Sequence, residues 1–401
     1  MKILQLINRM PYPLNDGGSI GIHYYIEGFL NAGVQLSVVA MNTSRYPVSK
    51  QEKPKLYDKL VEFKAVDVDT HIKVIPAFIN LFQSSSYNID RFISEEYQKE
   101  LIHLLQNNTY DIIQLESLFV TPYISTIRKY SKAKIVIRQH NIEFKIWERL
   151  SIKEKNPIKK WYLKLLAKRL RNHEIQYLNQ YDLVLPISEN DAAILKELGI
   201  QKPMYVHPFG INPSKIPFQE FQPEKPISLY HIGAMDWLPN QESVRYFLEN
   251  VMPLITKKFP DLVFYIAGRS MPPYFFQNQW SRVKVVGEVP NAQEFEKDKA
   301  ILVVPLQSGG GIRIKIFQAL AMGKAIVTTS IGAEGIQVRD GEEIMIANSP
   351  EEFLEKITFL VEHPDKISAM GQKARELIEE KYNQVQLFDD LLNQYKKLMK
   401  E

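Results

Sequence analysis

The segment SGGGIRIKIFQALAMGKAIVTT places three consecutive glycines, an arginine and a lysine at the start of a predicted helix. Glycine costs backbone entropy on folding, so a run of glycines usually lets a group approach the main chain more closely than a Cβ would allow. The free N–H groups of a helix N-terminus bind phosphate. Two nearby cations suit a diphosphate, and an amide one turn later suits a sugar hydroxyl. We therefore predict a diphosphate site formed by Gly309, Gly310, Gly311, Ile312, Arg313, Lys315 and Gln318; the alternative is that both cations are merely solvated.

Polar residues also follow strands in the first half of the chain. Gly17 and Gly18 come between the first predicted strand and a helical pattern, where a tight turn is the competing explanation. His140 follows another strand in RQHNIEF, beside Asn141 and Glu143. A histidine there can hydrogen-bond a ligand or move a proton, whereas on a buried apolar face it would only bond a backbone carbonyl. The polar neighbours favour a role for His140 in ligand binding.

The segment LYHIGAMDWLPNQESV opens the second half of the chain, and Gly233 ends its strand. Asp236, Trp237 and Asn240 follow Gly233. These side chains either line the mouth of the site or form a turn with Asn240 as the helix N-cap. We include Gly233, Asp236 and Asn240 among the candidate donor-binding residues.

The composition excludes several classes of function. The chain has 401 residues, a net charge of +4 and no cysteine, so disulfides, thiolate nucleophiles and cysteine-ligated metals are excluded. So small a net charge does not predict nucleic-acid binding. Asp67 and Asp69 could be read as a metal-binding pair, but no third ligand is evident near them in the sequence, which argues against that interpretation. We expect no metal, and a cytoplasmic protein without signal peptide or membrane span.

Short apolar runs alternate with helical patterns along the whole chain, which predicts α/β architecture with parallel sheets. Two series of such runs are separated by HPFGINPSKIPFQEFQPEKP, a proline-rich stretch without periodicity. We predict two doubly wound domains, residues 1–212 and 213–383, and a final helix over residues 384–401 that packs back on the first. Ligands of such sheets bind at the carboxyl ends of the strands.

Residues 153–171, KEKNPIKKWYLKLLAKRLR, form a strongly basic amphipathic pattern. Such a helix can lie on an anionic membrane. It is more often a solvated face above an ordinary core stripe. Peripheral membrane contact is therefore the second interpretation of this segment.

Taken together, DGGSIGIHYYIEGFLNAGVQLSVVA, HPFGIN, HIGAMDWLPN, LVFYIAG and GGGIRIKIFQALAMGKAIVTTSIGAEG resemble the retaining glycosyltransferases of family 4. The motifs MDW.PN and GGG.R.K are similar to those of the bacterial exopolysaccharide-type subgroup. The resemblance implies the GT-B fold, two Rossmann-like domains facing a central cleft. It also implies a nucleotide-sugar donor held by the C-terminal domain, a glycan or lipid-linked acceptor held by the N-terminal domain, and no metal or further cofactor.

By the same resemblance, Gly17 and Gly18 lie near the donor diphosphate and His140 contacts the transferred sugar, while Arg313 and Lys315 form the phosphate clamp. The family usually has two glutamates eight positions apart, where this chain has Gly310 and Gln318. A glycine cannot position a sugar hydroxyl, and an amide keeps only about half the strength of a charged hydrogen bond. The Arg and Lys that many members carry after the first strand of the C-terminal domain are also missing from residues 234–240.

We therefore predict a sugar transfer from a nucleoside diphosphate to an acceptor hydroxyl, with retention of configuration. The clamp would stabilise the charge that develops on the leaving diphosphate. In the retaining chemistry that the resemblance implies, the departing phosphate oxygen accepts the acceptor's proton, so no separate base is needed. An inverting enzyme would need a base such as Asp16 or His23. The alternatives are a nucleotide-sugar epimerase of the same fold and a catalytically weak nucleotide-sugar-binding protein.

Overall fold

The computed structural model describes residues 1–14, 17–44, 47–49, 53–224, 226–277, 280–309, 311 and 313–400. Asp16, Gly310 and Ile312, which the sequence analysis names, lie outside these residues. The chain divides into two compact units, one of Met1–Pro208 with Val385–Glu401 and one of Phe209–Gln384. The sequence-based boundary lies at residue 213. Among the described residues, no helix has both the length and the apolar character that crossing a bilayer requires.

The first unit is built on a six-stranded parallel sheet in the order β3-β2-β1-β4-β5-β6. The central strands consist mostly of apolar and β-branched residues and are largely buried, as expected for a sheet covered on both faces. Its edge strand β3 is not predicted from the sequence, because EFKAVDV is only partly buried and half polar. The strands are β1 (Lys2–Ile7), β2 (Gln35–Thr43), β3 (Glu62–Val68), β4 (Ile112–Leu115), β5 (Lys134–Gln139) and β6 (Leu183–Pro186).

Helices connect these strands, and the last helix of the chain returns to this unit. They are α1 (Gly17–Asn31), α2 (Val74–Asn80), α3 (Tyr87–Asp90), α4 (Glu95–Asn107), α5 (Ile124–Tyr130), α6 (Glu143–Lys153), α7 (Pro157–Tyr177) and α8 (Glu189–Glu197), with short 3₁₀ turns at Lys55–Lys59 and Leu118–Tyr123. The final helix, which becomes α16 in chain order, spans Gln384–Leu398. Its Phe388 ring packs edge-on against Phe29 of α1 at 5.3 Å. A Cβ at Gly28 would lie 2.2 Å from that ring, so α1 needs glycine here.

The second unit repeats the same architecture, with six parallel strands in the order β12-β11-β10-β7-β8-β9. All six coincide with apolar runs that the sequence analysis selects. The strands are β7 (Ser228–Ile232), β8 (Val263–Ala267), β9 (Val283–Gly287), β10 (Ile301–Val304), β11 (Ala325–Thr328) and β12 (Met345–Ile346). The helices are α9 (Leu238–Tyr246), α10 (Met252–Lys258), α11 (Pro273–Gln277), α12 (Ala292–Lys297), α13 (Ile314–Met322), α14 (Pro350–Glu362) and α15 (Pro364–Lys381), with a 3₁₀ turn at Pro213–Lys215 and a π turn at Phe247–Val251.

Both sheets are doubly wound, which confirms the predicted α/β class. Strand order reverses between β1 and β4 in the first sheet and between β7 and β10 in the second. In open α/β sheets, ligands bind outside the carboxyl ends of the strands at this reversal, the topological switch point. Each unit therefore offers one place where a ligand site is expected.

Candidate functional site

The switch point of the second unit is lined by the segments after β7 and β10. The segment after β10 leads through the glycine loop, defined here as residues 308–313, into α13. Helix α13 forms because Ile316, Phe317 and Leu320 are buried along one face, and it ends at Gly323 in the left-handed conformation. It begins at Ile314, and Arg313 is its N-cap without a side-chain cap bond. The backbone N–H groups of its first turn therefore have no side-chain cap acceptor.

Lys315 extends from the first turn of α13 to the end of β7. Its Nζ donates to Asn240 Oδ1 at 3.0 Å and lies 3.1 Å from His231 Nε2. His231 Nδ1 is 2.8 Å from the Val303 carbonyl oxygen, to which it donates, so Nε2 is left to accept from Lys315. A Cβ at Gly233 would lie 2.5 Å from Nζ, so glycine leaves the space that the ammonium occupies. We call Gly233, Asn240, Lys315 and the glycine loop the second-unit site.

The charge of Lys315 is only weakly compensated. Desolvation lowers the pKa of its ammonium to about 7, and the charge of Arg313 adds to this, although Glu296 acts in the opposite direction. Within the described residues, no carboxylate lies within ion-pair distance of Nζ. An ammonium has three N–H donors, of which Asn240 and His231 take two. The remaining donor and the partial desolvation suit an anionic ligand.

Arg313, predicted to contact phosphate directly, holds the glycine loop instead. Its guanidinium is buried and donates to the carbonyl oxygens of Gly309 at 3.2 Å, Ile331 at 2.9 Å and Gly311. The Glu334 carboxylate lies 3.8 Å away. The sequence could not distinguish these interactions, because an arginine beside glycines suits a carbonyl-rich loop as well as a phosphate. The guanidinium is neither solvated nor directed at bulk water.

The glycines of this loop have two different roles. Gly309 and Gly311 have φ values of 112° and 86°, which side chains rarely tolerate. A Cβ at Gly309 would also lie 2.9 Å from the Trp237 ring, whereas a Cβ at Gly311 would meet no described atom within 4 Å. Gly309 therefore permits packing against the protein itself. Only Gly311 faces open space, as a ligand-approach position requires.

The remaining predicted residues of the second unit differ in their contacts and burial. Asn240 is not the N-cap of α9, because Trp237 holds that position; Asn240 is buried in the first turn, where its Nδ2 donates to the Ala234 carbonyl at 2.8 Å. Asp236 is half-exposed and pairs with Arg269 at 3.3 Å. Gln318 is partly buried and has no hydrogen-bond partner among the described side chains and backbone groups. The structure thus joins Gly233 and Asn240 to Lys315 and leaves Asp236 aside.

At the switch point of the first unit, His140 ends a buried network of charges. The Glu116 carboxylate lies 3.0 Å from Arg138 Nη1 and 3.4 Å from His140 Nε2, and it accepts from Gln5 at 2.6 Å. Glu116 and Arg138 are 0% and 1% exposed, whereas the His140 side chain keeps 18% of its surface. We call Glu116, Arg138 and His140 the first-unit site. Neither Glu116 nor Arg138 is selected from the sequence, although Glu116 directly follows β4 and Arg138 is the penultimate residue of β5.

The charges of the first-unit site compensate one another. Burial alone raises the pKa of the Glu116 carboxyl, but the contact with His140 and the charge of Arg138 outweigh it and hold that pKa at about 2. Burial, followed by the Arg138 charge, lowers the pKa of the His140 imidazole. The imidazole is therefore neutral at pH 7. Its Nε2 lies 3.4 Å from Arg138 Nη1, which can only donate, so Nε2 accepts and Nδ1 carries the proton. A sugar hydroxyl can accept from this Nδ1–H.

Helix α1 approaches this network through glycine. A Cβ at Gly21 would lie 3.5 Å from Arg138 and 3.7 Å from the His140 ring, and Gly21 O accepts from Arg138 at 2.8 Å. Gly17 and Gly18 form the start of α1, one turn before Gly21. They thus lie on the helix that borders His140. Gly17 is exposed, so a ligand can reach the first residue of α1.

A buried carboxyl group fixes the segment that carries His140. Glu174 of α7 accepts from the backbone N–H groups of Glu143 at 3.3 Å and Phe144 at 3.1 Å, and from Gln139 at 2.9 Å. Burial raises the pKa of Glu143 to about 7, against a hydrogen bond from Asn141. Glu174 lies 34 positions after His140 in the sequence, so no local pattern reveals it.

His23, named above as a base that an inverting enzyme could use, lies 2.8 Å from the Tyr57 hydroxyl.

The described residues contain no group of three or more His, Cys, Asp or Glu side chains arranged to hold a metal. Asp67 accepts from Asn42 at 2.8 Å, and Asp69 pairs with Lys73 at 2.8 Å. Both carboxylates of the sequence pair are thus engaged with protein groups.

Comparison with known proteins adds a functional class to this geometry. Residues 226–363, which contain β7 through α14 and hence the second-unit site, match the family model described as "Glycosyl transferases group 1". The chain therefore carries a glycosyltransferase domain. A Klebsiella pneumoniae protein, described as an uncharacterized 44.6 kDa protein in the cps region, is 22% identical over 98% of this chain and 99% of its own length.

Solved structures show the same fold over the whole chain. Sucrose-phosphate synthase from Thermosynechococcus elongatus matches with a TM-score of 0.70 at 15% identity over 99% of both chains. The Anabaena protein HepE, solved in complex with UDP-glucose, matches with a TM-score of 0.65 at 11% identity over 99% of this chain and 100% of its own. TarM matches with a TM-score of 0.67 at 14% identity over 98% of both chains. The predicted GT-B fold is confirmed, and the chain is a glycosyltransferase of this fold.

Proposed function

We propose that this glycosyltransferase uses a nucleotide-sugar donor and transfers the sugar to a hydroxyl of a glycan or lipid-linked acceptor with retention of configuration, as in the family 4 enzymes of exopolysaccharide type. One observation carries the proposal: an undercompensated ammonium, Lys315, lies beside an uncapped helix N-terminus at the switch point of the domain that matches the glycosyltransferase family. A diphosphate supplies the charge that this site lacks. HepE, whose structure holds UDP-glucose, has the same fold.

In this proposal, the second-unit site binds the leaving group. Lys315 and the first N–H groups of α13 stabilise the charge that develops on the diphosphate as the glycosidic bond breaks. Arg313 contributes by holding the glycine loop through its carbonyl oxygens. Gln318 replaces the usual glutamate at the ribose, where its amide can still accept and donate hydrogen bonds. No cofactor beyond the donor is proposed, and a cytoplasmic location stays an expectation from the sequence.

The first-unit site orients the sugar. A neutral His140 donates to a sugar hydroxyl through Nδ1–H, while Arg138 and Glu116 lie against its Nε2 and keep the ring in place. The family resemblance would also bring Gly17 and Gly18, at the start of α1, near the donor diphosphate. With retention, the departing phosphate oxygen takes the acceptor's proton, and neither His140 nor His23 has to act as a base.

A thermal-shift screen against UDP-, GDP- and ADP-sugars tests the donor. A ligand at about 100 times its dissociation constant adds about 2.7 kcal/mol to the free energy of unfolding. The stabilising donor is then incubated with and without glycan acceptors, and the anomeric configuration of the product is determined by NMR. Retained configuration supports the proposal. Conversion of the donor without acceptor indicates the epimerase alternative, and binding without any turnover indicates a binding protein, an outcome that Gly310 and Gln318 would explain.

A further inference from the structure

Helix α2 and its flanks expose an apolar surface that sequence reasoning does not find. Six large apolar side chains within eleven positions are between 50% and 82% exposed. Single exposed apolar residues are common, but a contiguous apolar patch marks an interaction surface. We call this set the α2 patch: Ile72, Val74, Ile75, Phe78, Ile79 and Phe82.

The α2 patch is held in place by polar contacts on its inner side. Asn80 is buried, and both its carbonyl and side-chain oxygens accept from Arg169 Nη1, at 2.6 and 2.8 Å. Arg169 Nη2 also donates to the Leu81 carbonyl at 3.0 Å. The segment thus turns a polar residue inward and its apolar residues outward. This polarity is the reverse of that of an ordinary surface helix.

Arg169 connects the patch to the basic helix α7. Counting back from Arg169 in helical steps, Leu165, Tyr162 and Ile158 lie on the same face of α7, and Ile158 is 77% exposed. Ile158 is about 16 Å from Arg169 along the axis. Trp161, on the adjoining face, is 58% exposed. The start of α7, the helix that holds the α2 segment through Arg169, thus exposes large apolar side chains of its own.

The segment that includes the first half of α7 is strongly basic. Residues 153–171 contain eight Lys or Arg residues and a single acid, Glu154. Among the described residues of this segment, only Lys159 forms an ion pair with an acid, 2.7 Å from Glu154. Near α2, Asp69 pairs with Lys73, and Asp90 accepts from Asn80 and Ser85. The acids on this side of the unit are thus already engaged, and the lysines are left for an external anion.

We propose that the α2 patch and the basic start of α7 form one binding surface for an anionic lipid bilayer, in which the α2 side chains enter the boundary between headgroups and acyl chains. Lysines and an exposed tryptophan on α7, together with the large exposed apolar side chains of α2, fit a bilayer interface. Protein interfaces are instead depleted of lysine. The proposal extends the membrane contact considered for residues 153–171 and does not depend on which sugar is transferred.

Sedimentation of the full chain with lipid vesicles tests the surface. The vesicles contain phosphatidylcholine alone or mixed with phosphatidylglycerol. We expect binding to the anionic vesicles, weakened by salt. Because removing a phenylalanine side chain from water is strongly favourable, the double substitution Phe78→Ser with Phe82→Ser should weaken partitioning at least tenfold, about 1.4 kcal/mol or more. Phe276→Ser, at an exposed phenylalanine of the second unit, should leave partitioning unchanged and serves as the matched control.

A second readout reports insertion. The fluorescence of Trp161 should be quenched by acyl-brominated lipids, and Trp161→Phe should remove the quenched fraction. Lys315→Met, which is proposed to impair donor binding, should bind vesicles like the parent protein. A failure of vesicle binding can therefore be distinguished from a failure of donor binding, on which the proposed function depends.

Three results would overturn the proposal. The first is no sedimentation with anionic vesicles at low salt. The second is loss of vesicle binding in the double variant Lys160→Glu with Lys164→Glu together with unchanged binding in the double phenylalanine variant. Binding would then be electrostatic only. The third is a dimer that the phenylalanine variants dissociate in light scattering, because the α2 patch would then belong to a second copy of the chain.

Discussion

The two switch points of this protein differ in whether a buried charge has a counter-charge beside it. In the first unit, the Glu116 carboxylate and the Arg138 guanidinium lie 3.0 Å apart with almost no exposure. In the second unit, the side-chain hydrogen bonds that Lys315 makes with described residues go to the neutral partners Asn240 and His231. The same sheet topology thus carries a compensated ion pair in one unit and a weakly compensated cation in the other.

This difference indicates a division of labour. The charges of Glu116 and Arg138 balance each other, so this pair does not attract an external charge. The pair instead fixes the orientation and the tautomer of the His140 ring. A desolvated cation without a carboxylate is poised for an anion that restores its charge balance. The first-unit site therefore suits the proposed role of orienting a neutral group, and the second-unit site suits the proposed role of binding a charged one.

The largest expected effect comes from breaking the compensated pair. Glu116→Gln leaves the Arg138 charge buried without its counter-charge, so we expect a loss of about 3–5 kcal/mol in the free energy of unfolding. Urea unfolding followed by the fluorescence of Trp147 and Trp161 measures this loss. Glu355→Gln, at an exposed carboxylate, is the control. A variant as stable as the parent would show that the network does not depend on its charges.

The second effect is on ligand binding rather than on stability. Lys315→Met removes a desolvated cation whose only partners are neutral, so the fold should be as stable as that of the parent protein. The affinity for the nucleotide sugar should fall by about 1.5–3 kcal/mol, about 10- to 150-fold. Isothermal titration calorimetry with the donor found in the screen gives the value. Lys257→Met, at an exposed lysine of α10, should change nothing, and equal affinities of both variants would remove Lys315 from the site.

Two glycines give a matched test of the space around each site. Gly233→Ala places a Cβ 2.5 Å from Lys315 Nζ and displaces the ammonium. We expect about 1–2 kcal/mol of lost donor affinity, the usual cost of overpacking, about 5- to 30-fold. Gly21→Ala meets Arg138 only at 3.5 Å and lies inside a helix, so it should be tolerated or slightly stabilising. Equal effects of the two substitutions on donor affinity would contradict the assigned roles.

The sequence predicts the fold well because periodicity and glycine placement are local signals. All six strands of the second sheet are apolar runs, and the glycine loop follows β10 as expected. The edge strand β3 escapes because a partly exposed strand does not alternate clearly. The reversed polarity of α2 escapes as well, since an apolar heptapeptide is typical of a buried element.

The candidate site is less predictable, because charge partners are set by packing. Arg313 and Lys315 look equivalent in GIRIK, yet one side chain holds its own loop and the other reaches β7. Glu116, Arg138 and Glu174 come from three separate elements that only the folded sheet and its helices bring to His140. Their shared signal is position, since Glu116 and Arg138 lie at the carboxyl ends of neighbouring strands.

The smallest effect, and the most direct comparison of the two sites, is a pH dependence of donor binding. The pKa of Lys315 is lowered to about 7, so the ammonium is lost as the pH rises through that value, whereas the lowered pKa of His140 keeps its imidazole neutral throughout. If the protonated lysine binds the diphosphate, affinity should fall about fivefold between about pH 7 and about pH 8.

Both ester-linked phosphates of a nucleotide sugar stay ionised over this range, so the ligand itself does not titrate. Bound diphosphate favours the ammonium, and binding should therefore take up protons. Calorimetry in buffers of different ionisation enthalpy counts these protons. Lys315→Arg, which stays charged at every accessible pH, should abolish the uptake even if it binds more weakly. Proton uptake that survives in Lys315→Arg would assign the titration to another group and leave the second-unit site without its proposed source of charge.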